Sequence, residues 1–160
     1  MAYANKFNGI VLATSNKSEV AVGYSTLYGD MVGGFSVLKD VPKTLVYKIA
    51  EEINNTNHII PERILTRAPS AELAKNQTDQ DNLPDYEVLD GIMDLYVEKN
   101  KSVKMIIKEG YSAQMVKKVI KLIHINEFKR RQAAPGPKVT SKAFGKDRRY
   151  PITSKYKPFK

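Results

Sequence analysis

The first apolar run does most to limit what this chain can fold into. Ile10-Val11-Leu12-Ala13 is continuously apolar, entered from Asn8-Gly9 and left through Thr14-Ser15-Asn16. Continuity, rather than alternation, suits a short parallel strand covered on both faces. A parallel strand needs neighbours in its sheet, yet the residues that follow carry helical spacing. Taken at face value, the chain is the last part of an α/β sheet whose earlier strands are missing: mostly helical, with one N-terminal parallel-type strand.

The remaining elements can be read from caps and periodicity. Ser15 or Asn16 can cap a helix through Glu19, Val20 and Val22. Gly29, Gly33 and Gly34 mark a loop of special backbone shape. Asp40-Val41-Pro42 opens a helix with Leu45, Val46 and Ile49 on one face. Residues 66–85 are polar and without hydrophobic period, which in a compact domain reads as a lid or an insert. Three helices follow. Tyr86 to Glu98 aligns Leu89, Ile92, Met93, Tyr96 and Val97, Ser102 to Glu109 stops at Gly110, and Ser112 to about Glu127 buries Val116, Val119, Ile120 and Ile123. Periodicity fails after Phe128, so residues 1–128 read as one partial domain and 129–160 as a basic tail. There are no internal repeats.

Composition excludes several chemistries. The 160 residues include no cysteine, which removes disulfides, zinc–thiolate sites and cysteine nucleophiles. His58 and His124 share no motif with a carboxylate, so a histidine metal site is not expected. Apolar residues make up 42 % and charged residues 27 %, a globular balance. No apolar run approaches the ~18 residues of a membrane span, and no signal-peptide pattern is present, so the reading is a soluble, cytoplasmic protein without a membrane partner. The net charge of +9 is uneven. Residues 129–160 hold eleven Lys or Arg against one acid, whereas the other 128 hold fifteen basic and sixteen acidic side chains. Such a tail calls for an anionic partner.

Two classes of function compete for that charge. One is nucleic-acid binding: the two helices broken at Gly110-Tyr111-Ser112 resemble a helix-turn-helix, with the tail following a backbone. The polar face of the second helix is Gln114, Lys117, Lys118 and Lys121, too rich in lysine for reading bases. Nucleic acid is therefore the weaker reading.

The other rests on motifs in order. Leu12 to Glu19, Gly23 to Asp30, Asp40 to Thr44, Ala68 to Leu73, Gln80 to Asp90, Asn126 to Gly136 and Ala143-Phe144-Gly145 resemble the synthetase domain of glutamine-dependent NAD synthetases. The resemblance covers almost the whole chain. It implies the C-terminal portion of a Rossmann-like, ATP-pyrophosphatase-type domain. It also implies a ligase chemistry in which Mg²⁺ and ATP adenylate the nicotinate carboxylate of deamido-NAD, and glutamine-derived ammonia then displaces AMP. The Ser-Gly-Gly-x-Asp-Ser pyrophosphate loop and the cysteine-dependent glutaminase domain have no counterpart here. The chain is thus expected to be a fragment or split product, inactive alone, with a homo-oligomer or a partner chain supplying the missing half.

The resemblance also assigns residues, none of them a catalytic group. It implies ATP contacts at Thr14, Lys43 and Ser70, and deamido-NAD contacts at Glu19, Asp30 and Lys129, with Glu19 a Mg²⁺ ligand as well. Each has a local alternative: a helix-entry hydroxyl for Thr14, a helix-dipole acid for Glu19, an Asx turn for Asp30, a loop serine for Ser70 and a helix-end base for Lys129. Lys43 beside a helix N-terminus is electrostatically awkward unless a phosphate lies between them. Arg130 and Arg131 are expected to meet phosphate or carboxylate, and His124 to be packed or capping. Asp79, Asp81 and Asp85 read as solvated or capping, and Tyr24, Tyr28 and Tyr86 as core edges. Ala74 stands where the family pattern has arginine, and Lys75 could replace its charge but not its bidentate geometry.

Overall fold

The computed structural model describes residues 1–70, 74–75, 77–154 and 156–159. Ala71-Glu72-Leu73, part of one quoted motif, lie outside the described residues, as do Lys155 and Lys160.

Strand β1 (Leu12–Ala13) pairs in parallel with β2 (Phe35–Ser36), in the register Leu12 to Phe35 and Ala13 to Ser36. The strand is therefore not alone, and the expectation of one strand is corrected to two. Two residues inside a glycine-rich stretch give no periodicity from which β2 could be read. Nor is β1 covered on both faces: Ala13 is buried, but Leu12 is 52 % exposed. Helix α2 (Lys17–Val22) makes the crossover between the strands. Its first turn is closed by a reciprocal capping box, in which Asn16 Oδ1 accepts from Glu19 N–H at 3.0 Å and Asn16 N–H donates to Glu19 Oε2 at 3.2 Å. Gly23 ends it with φ 67°, and a Cβ there would lie 2.2 Å from the Asn126 side chain, so only glycine fits.

Gly29, Gly33 and Gly34 take no left-handed φ, contrary to the expectation of a special backbone shape. Gly33 is needed for closeness instead: a Cβ would stand 2.8 Å from the Ala13 nitrogen.

The core lies among the helices. Helices α5 (Tyr86–Met93), α6 (Val103–Lys108) and α7 (Ala113–Ile125) bury Leu89, Ile92, Ile106, Val116, Val119, Ile120 and Ile123 with Ala21 and Val22 of α2. The segment read as one helix from Tyr86 to Glu98 ends in a π-helical turn at Asp94–Glu98, where Lys99 N–H donates to Asp94 C=O. Helix α3 (Lys43–Thr56) buries none of its residues. Short helices α1 (Ala2–Lys6), α4 (Glu62–Thr66) and α8 (Glu127–Arg130) complete the set.

The basic tail folds back on the body. Pro135 C=O accepts from Ser36 N–H at 2.8 Å, on β2, and Ala143, Phe144 and Tyr150 are buried. Lys17, fully buried, holds it by bonds to Thr140 Oγ1 (2.5 Å) and Lys142 C=O (3.0 Å), with Asp40 (3.1 Å) and Glu98 (3.0 Å) balancing the charge. Asp40 accepts the Val139 and Thr140 N–H groups at 2.8 Å each. Burial raises its pKa, but those two donors and Lys17 outweigh it and hold the carboxyl below its usual range.

Arg130 is a structural residue, and the partner it meets is a carboxylate, one of the two expected for it. It is buried, donates to Ala21 C=O at 2.6 Å and to Ile123 C=O, pairs with Glu127 and lies 4.7 Å over the Phe144 ring. It joins the carbonyl ends of α2 and α7. Arg131 pairs with Glu127 at 2.9 Å. Tyr28 is exposed, not a core edge.

Candidate nucleotide site

A cavity of about 770 Å³ opens beside the C-terminal end of β1, between the loop 23–30 on one side and Ser70 with the segment 77–82 on the other. Thr14, Glu19, Asp30, Ser70 and Lys129 all line it. The sixth expected residue, Lys43, is not on the wall but reaches Glu19, its Nζ 3.2 Å from Oε1. The open carboxyl end of a parallel strand is where α/β sheets take their ligands, and the site stands there.

Glu19, Lys43, Asp30 and Lys129 are each held by a local device. Glu19 is N3 of α2, so its Oε2 closes the capping box while Oε1 faces Lys43. Lys43 begins α3, whose N-terminus is capped in trans: Ser18 Oγ accepts from Lys43 N–H at 2.8 Å, and Asp90 Oδ2 of α5 accepts from Thr44 N–H at 3.0 Å and from the Thr44 hydroxyl at 2.8 Å. Ser18 in turn donates to Asp90 Oδ1. The Lys43 ammonium lies 5.4 Å over the ring of Tyr86. Asp30 Oδ1 accepts from Thr26 N–H at 2.7 Å, so it closes the loop by a bond four residues back rather than by the forward bond of an Asx turn. Lys129 donates to the Gly23 and Ser25 carbonyls at 2.7 and 2.8 Å, tying α8 to that loop.

Three residues given only structural readings in the sequence also stand on this wall. Asp79, expected to be solvated or capping, is buried and accepts the Tyr86 hydroxyl at 2.6 Å. Burial, that bond and the nearby Glu19 charge push the Tyr86 hydroxyl pKa far up. Ser15 and Tyr24 join it. The only signal for Asp79 was Tyr86 seven residues on, and no periodic rule links such a pair across a turn.

Among the described residues, the wall carries three carboxylates (Glu19, Asp30 and Asp79) against one ammonium, Lys129. No cluster of three or more His, Asp or Glu suited to a metal occurs among them. Glu19 would offer a single carboxylate to a hard cation. That fits Mg²⁺ bound largely by phosphate oxygens and water, not a protein cage.

The NAD synthase family model matches residues 1–133. The chain belongs to the NAD synthase family. Glutamine-dependent NAD(+) synthetases of Acinetobacter baylyi and Aquifex aeolicus are 53 % and 56 % identical to it, covering 99 % and 96 % of this chain. The chain spans 30 % and 27 % of those relatives' own lengths. A solved structure of an NMN synthetase from Francisella tularensis is 28 % identical with a TM-score of 0.65, over 81 % of this chain and 47 % of that one. The fold also matches a glutamine-dependent NAD(+) synthetase from Cytophaga hutchinsonii, with a TM-score of 0.77 over 96 % of this chain and 26 % of that one, at 24 % identity. Nothing in these likenesses favours the helix-turn-helix reading, and the apolar face of α7 is spent on the core. No helix among the described residues is long and apolar enough to cross a membrane.

Proposed function

We propose that this segment forms part of the nucleotide site of a synthetase that makes NAD from deamido-NAD, ATP and glutamine-derived ammonia. The observation that carries the reading is the gathering of Thr14, Glu19, Asp30, Ser70 and Lys129, far apart in sequence, on one cavity with Lys43 ion-paired to Glu19. In the reaction, the nicotinate carboxylate attacks the α-phosphorus of ATP and pyrophosphate leaves. Ammonia then adds to the acyl carbon, AMP leaves, and the amine proton passes to solvent.

The chain's own contribution is positioning and charge exchange. Lys43 and Glu19 neutralise one another without ligand, and a nucleotide phosphate would draw Lys43 to itself while Glu19 turns to a cation. Mg²⁺ would supply charge neutralisation on the phosphates, with Glu19 its protein ligand here. Lys129 keeps the 23–30 loop in place beside deamido-NAD. Assembly as a homo-oligomer and a cytoplasmic location belong to the same reading and rest on the family resemblance.

The test is Glu19→Gln in the full-length protein carrying this segment. Glutamine serves a capping box as glutamate does, so the change removes charge and spares the helix start. Turnover is expected to fall about 10²–10³-fold with little change in melting temperature. Turnover within about threefold of the parent would reduce Glu19 to a helix cap.

A further inference from the structure

One face of α5 grips Lys43 at both ends. Tyr86 and Asp90 stand four residues apart on that helix, so they share a face one turn apart, and each is only 7 % exposed. At the far end of the side chain, the Lys43 ammonium sits 5.4 Å over the Tyr86 ring. At the backbone end, Asp90 Oδ2 accepts from the Thr44 N–H at 3.0 Å and from its hydroxyl at 2.8 Å. Asp90 Oδ1 accepts from the Ser18 hydroxyl, whose oxygen accepts from Lys43 N–H at 2.8 Å. Ser18 precedes Glu19 in α2, and Thr44 follows Lys43 in α3. A single carboxylate thus ties together the two helix starts whose side chains meet at 3.2 Å. Its three donors are all neutral, and burying a charge on neutral donors costs desolvation. Closing a helix end needs no charge, because serine or asparagine does it as well. The charge and its two-helix grip therefore ask for a role beyond the cap.

We propose that Asp90 is a positioning residue of the synthetase reaction and acts through Lys43, with the Tyr86 ring as the floor under the ammonium. Lysine is a point charge on a flexible four-carbon stem, so its stem alone does not fix where the charge meets a phosphate. Here the start of the stem is fixed by Asp90 and Ser18, and its end by Tyr86 and Glu19. A misplacement of about 1 Å at a positioning group can cost about 10²-fold in rate, which is the scale of effect this grip would prevent. The role rests on the nucleotide reading above.

A double-mutant cycle in the full-length protein carrying this segment tests it, assayed with ATP, deamido-NAD and ammonia, with melting temperatures recorded alongside. Asp90→Asn should lower kcat/KM for ATP by about 10–100-fold and leave KM for ammonia within about threefold. Lys43→Ala should lower kcat/KM for ATP at least as far. In the Lys43→Ala background, Asp90→Asn should cost less than about threefold, because its route to the substrate is gone. Tyr86→Leu should show the same dependence on Lys43 with a smaller loss, about 2–5-fold. Thr44→Val removes one donor and keeps the carboxylate, and it carries the same cycle if Asp90→Asn does not fold. Losses from Asp90→Asn and Lys43→Ala that simply multiply would overturn the positioning role and leave the nucleotide reading intact, since damage to the fold is felt with or without Lys43. Asp90→Asn within about threefold of the parent would do the same. Lys43→Ala within about threefold of the parent overturns Lys43 as a nucleotide contact, and the role of Asp90 with it.

Discussion

Helices α3 and α7 carry similar apolar spacing and opposite fates. In α7, Val116, Val119, Ile120 and Ile123 are completely buried against α5, α6 and α2. In α3, the matching stripe of Leu45, Ile49 and Ile53 remains 36–43 % exposed. Their N-termini differ in the reverse sense. Ser112 of α7 makes no side-chain cap bond, whereas α3 is capped by Ser18 and Asp90 from two other helices. One helix is held along its side and the other by its end. The held end of α3 is the one that carries Lys43 to Glu19, so the capping serves the site more than the core.

The comparison breaks most visibly with a matched pair of truncations. Ile120→Ala removes atoms from a packed interior and should cost about 2–5 kcal/mol. Ile49→Ala removes a half-solvated side chain from the same kind of stripe and should cost less than about 1 kcal/mol. Urea denaturation of the 160-residue chain measures both. Equal costs would show that α3 is packed in solution and that its exposed stripe is covered.

These two helices also mark what sequence could reveal. Periodicity shows which face of a helix is apolar, and in α7 it named each buried residue. It does not show whether anything lies opposite that face, so Leu45 and Ile49 were grouped with equal reason and remain exposed. Local signals did well at α2, where Asn16 and Glu19 sit three residues apart and close a capping box. The site residues came from ordered motifs, and five of the six share one cavity. What stayed hidden was set by partners distant in sequence. Asp90 caps a helix 46 residues earlier, Lys17 reaches 123 residues on to Thr140, and Arg130 returns to Ala21. β2 was hidden for another reason, since two residues carry no period.

A second test sharpens the difference at the helix starts. Asp90→Ala strands the buried Ser18 hydroxyl and the half-buried Thr44 N–H, at about 1–3 kcal/mol. Ser112→Ala removes no cap bond and should fall within about 0.5 kcal/mol of the parent. Hydrogen exchange gives the local reading: amides at Lys43 and Thr44 should exchange faster in the Asp90 variant, and those at the start of α7 should not change in the Ser112 variant. Protection retained at Thr44 without the Asp90 carboxylate would mean that α3 is held along its length after all.

The smallest effect lies at the other end of α7. His124, in its last turn, is half-buried, shares a 2.7 Å hydrogen bond between its Nε2 and the Tyr96 hydroxyl, and packs against the Tyr150 ring at 4.4 Å with the planes tilted by 40°. Burial lowers its pKa first, and the charges of Arg130 and Arg148 lower it further, so the folded chain resists its protonation below the ordinary 6.5. The sign follows from proton uptake. As pH falls through 6.5 the unfolded chain takes the proton before the folded one, so this group's stabilisation is complete above 6.5 and shrinks as pH drops toward the folded value. The denaturation midpoint of the parent should therefore decline between pH 7.5 and 5.5, a window chosen above the range where carboxylates titrate. In His124→Gln, which keeps a polar partner for Tyr96 but has no proton to take up, that decline should flatten. An equal decline in both proteins would place the titration elsewhere and leave the packed end of α7 as indifferent to pH as its middle.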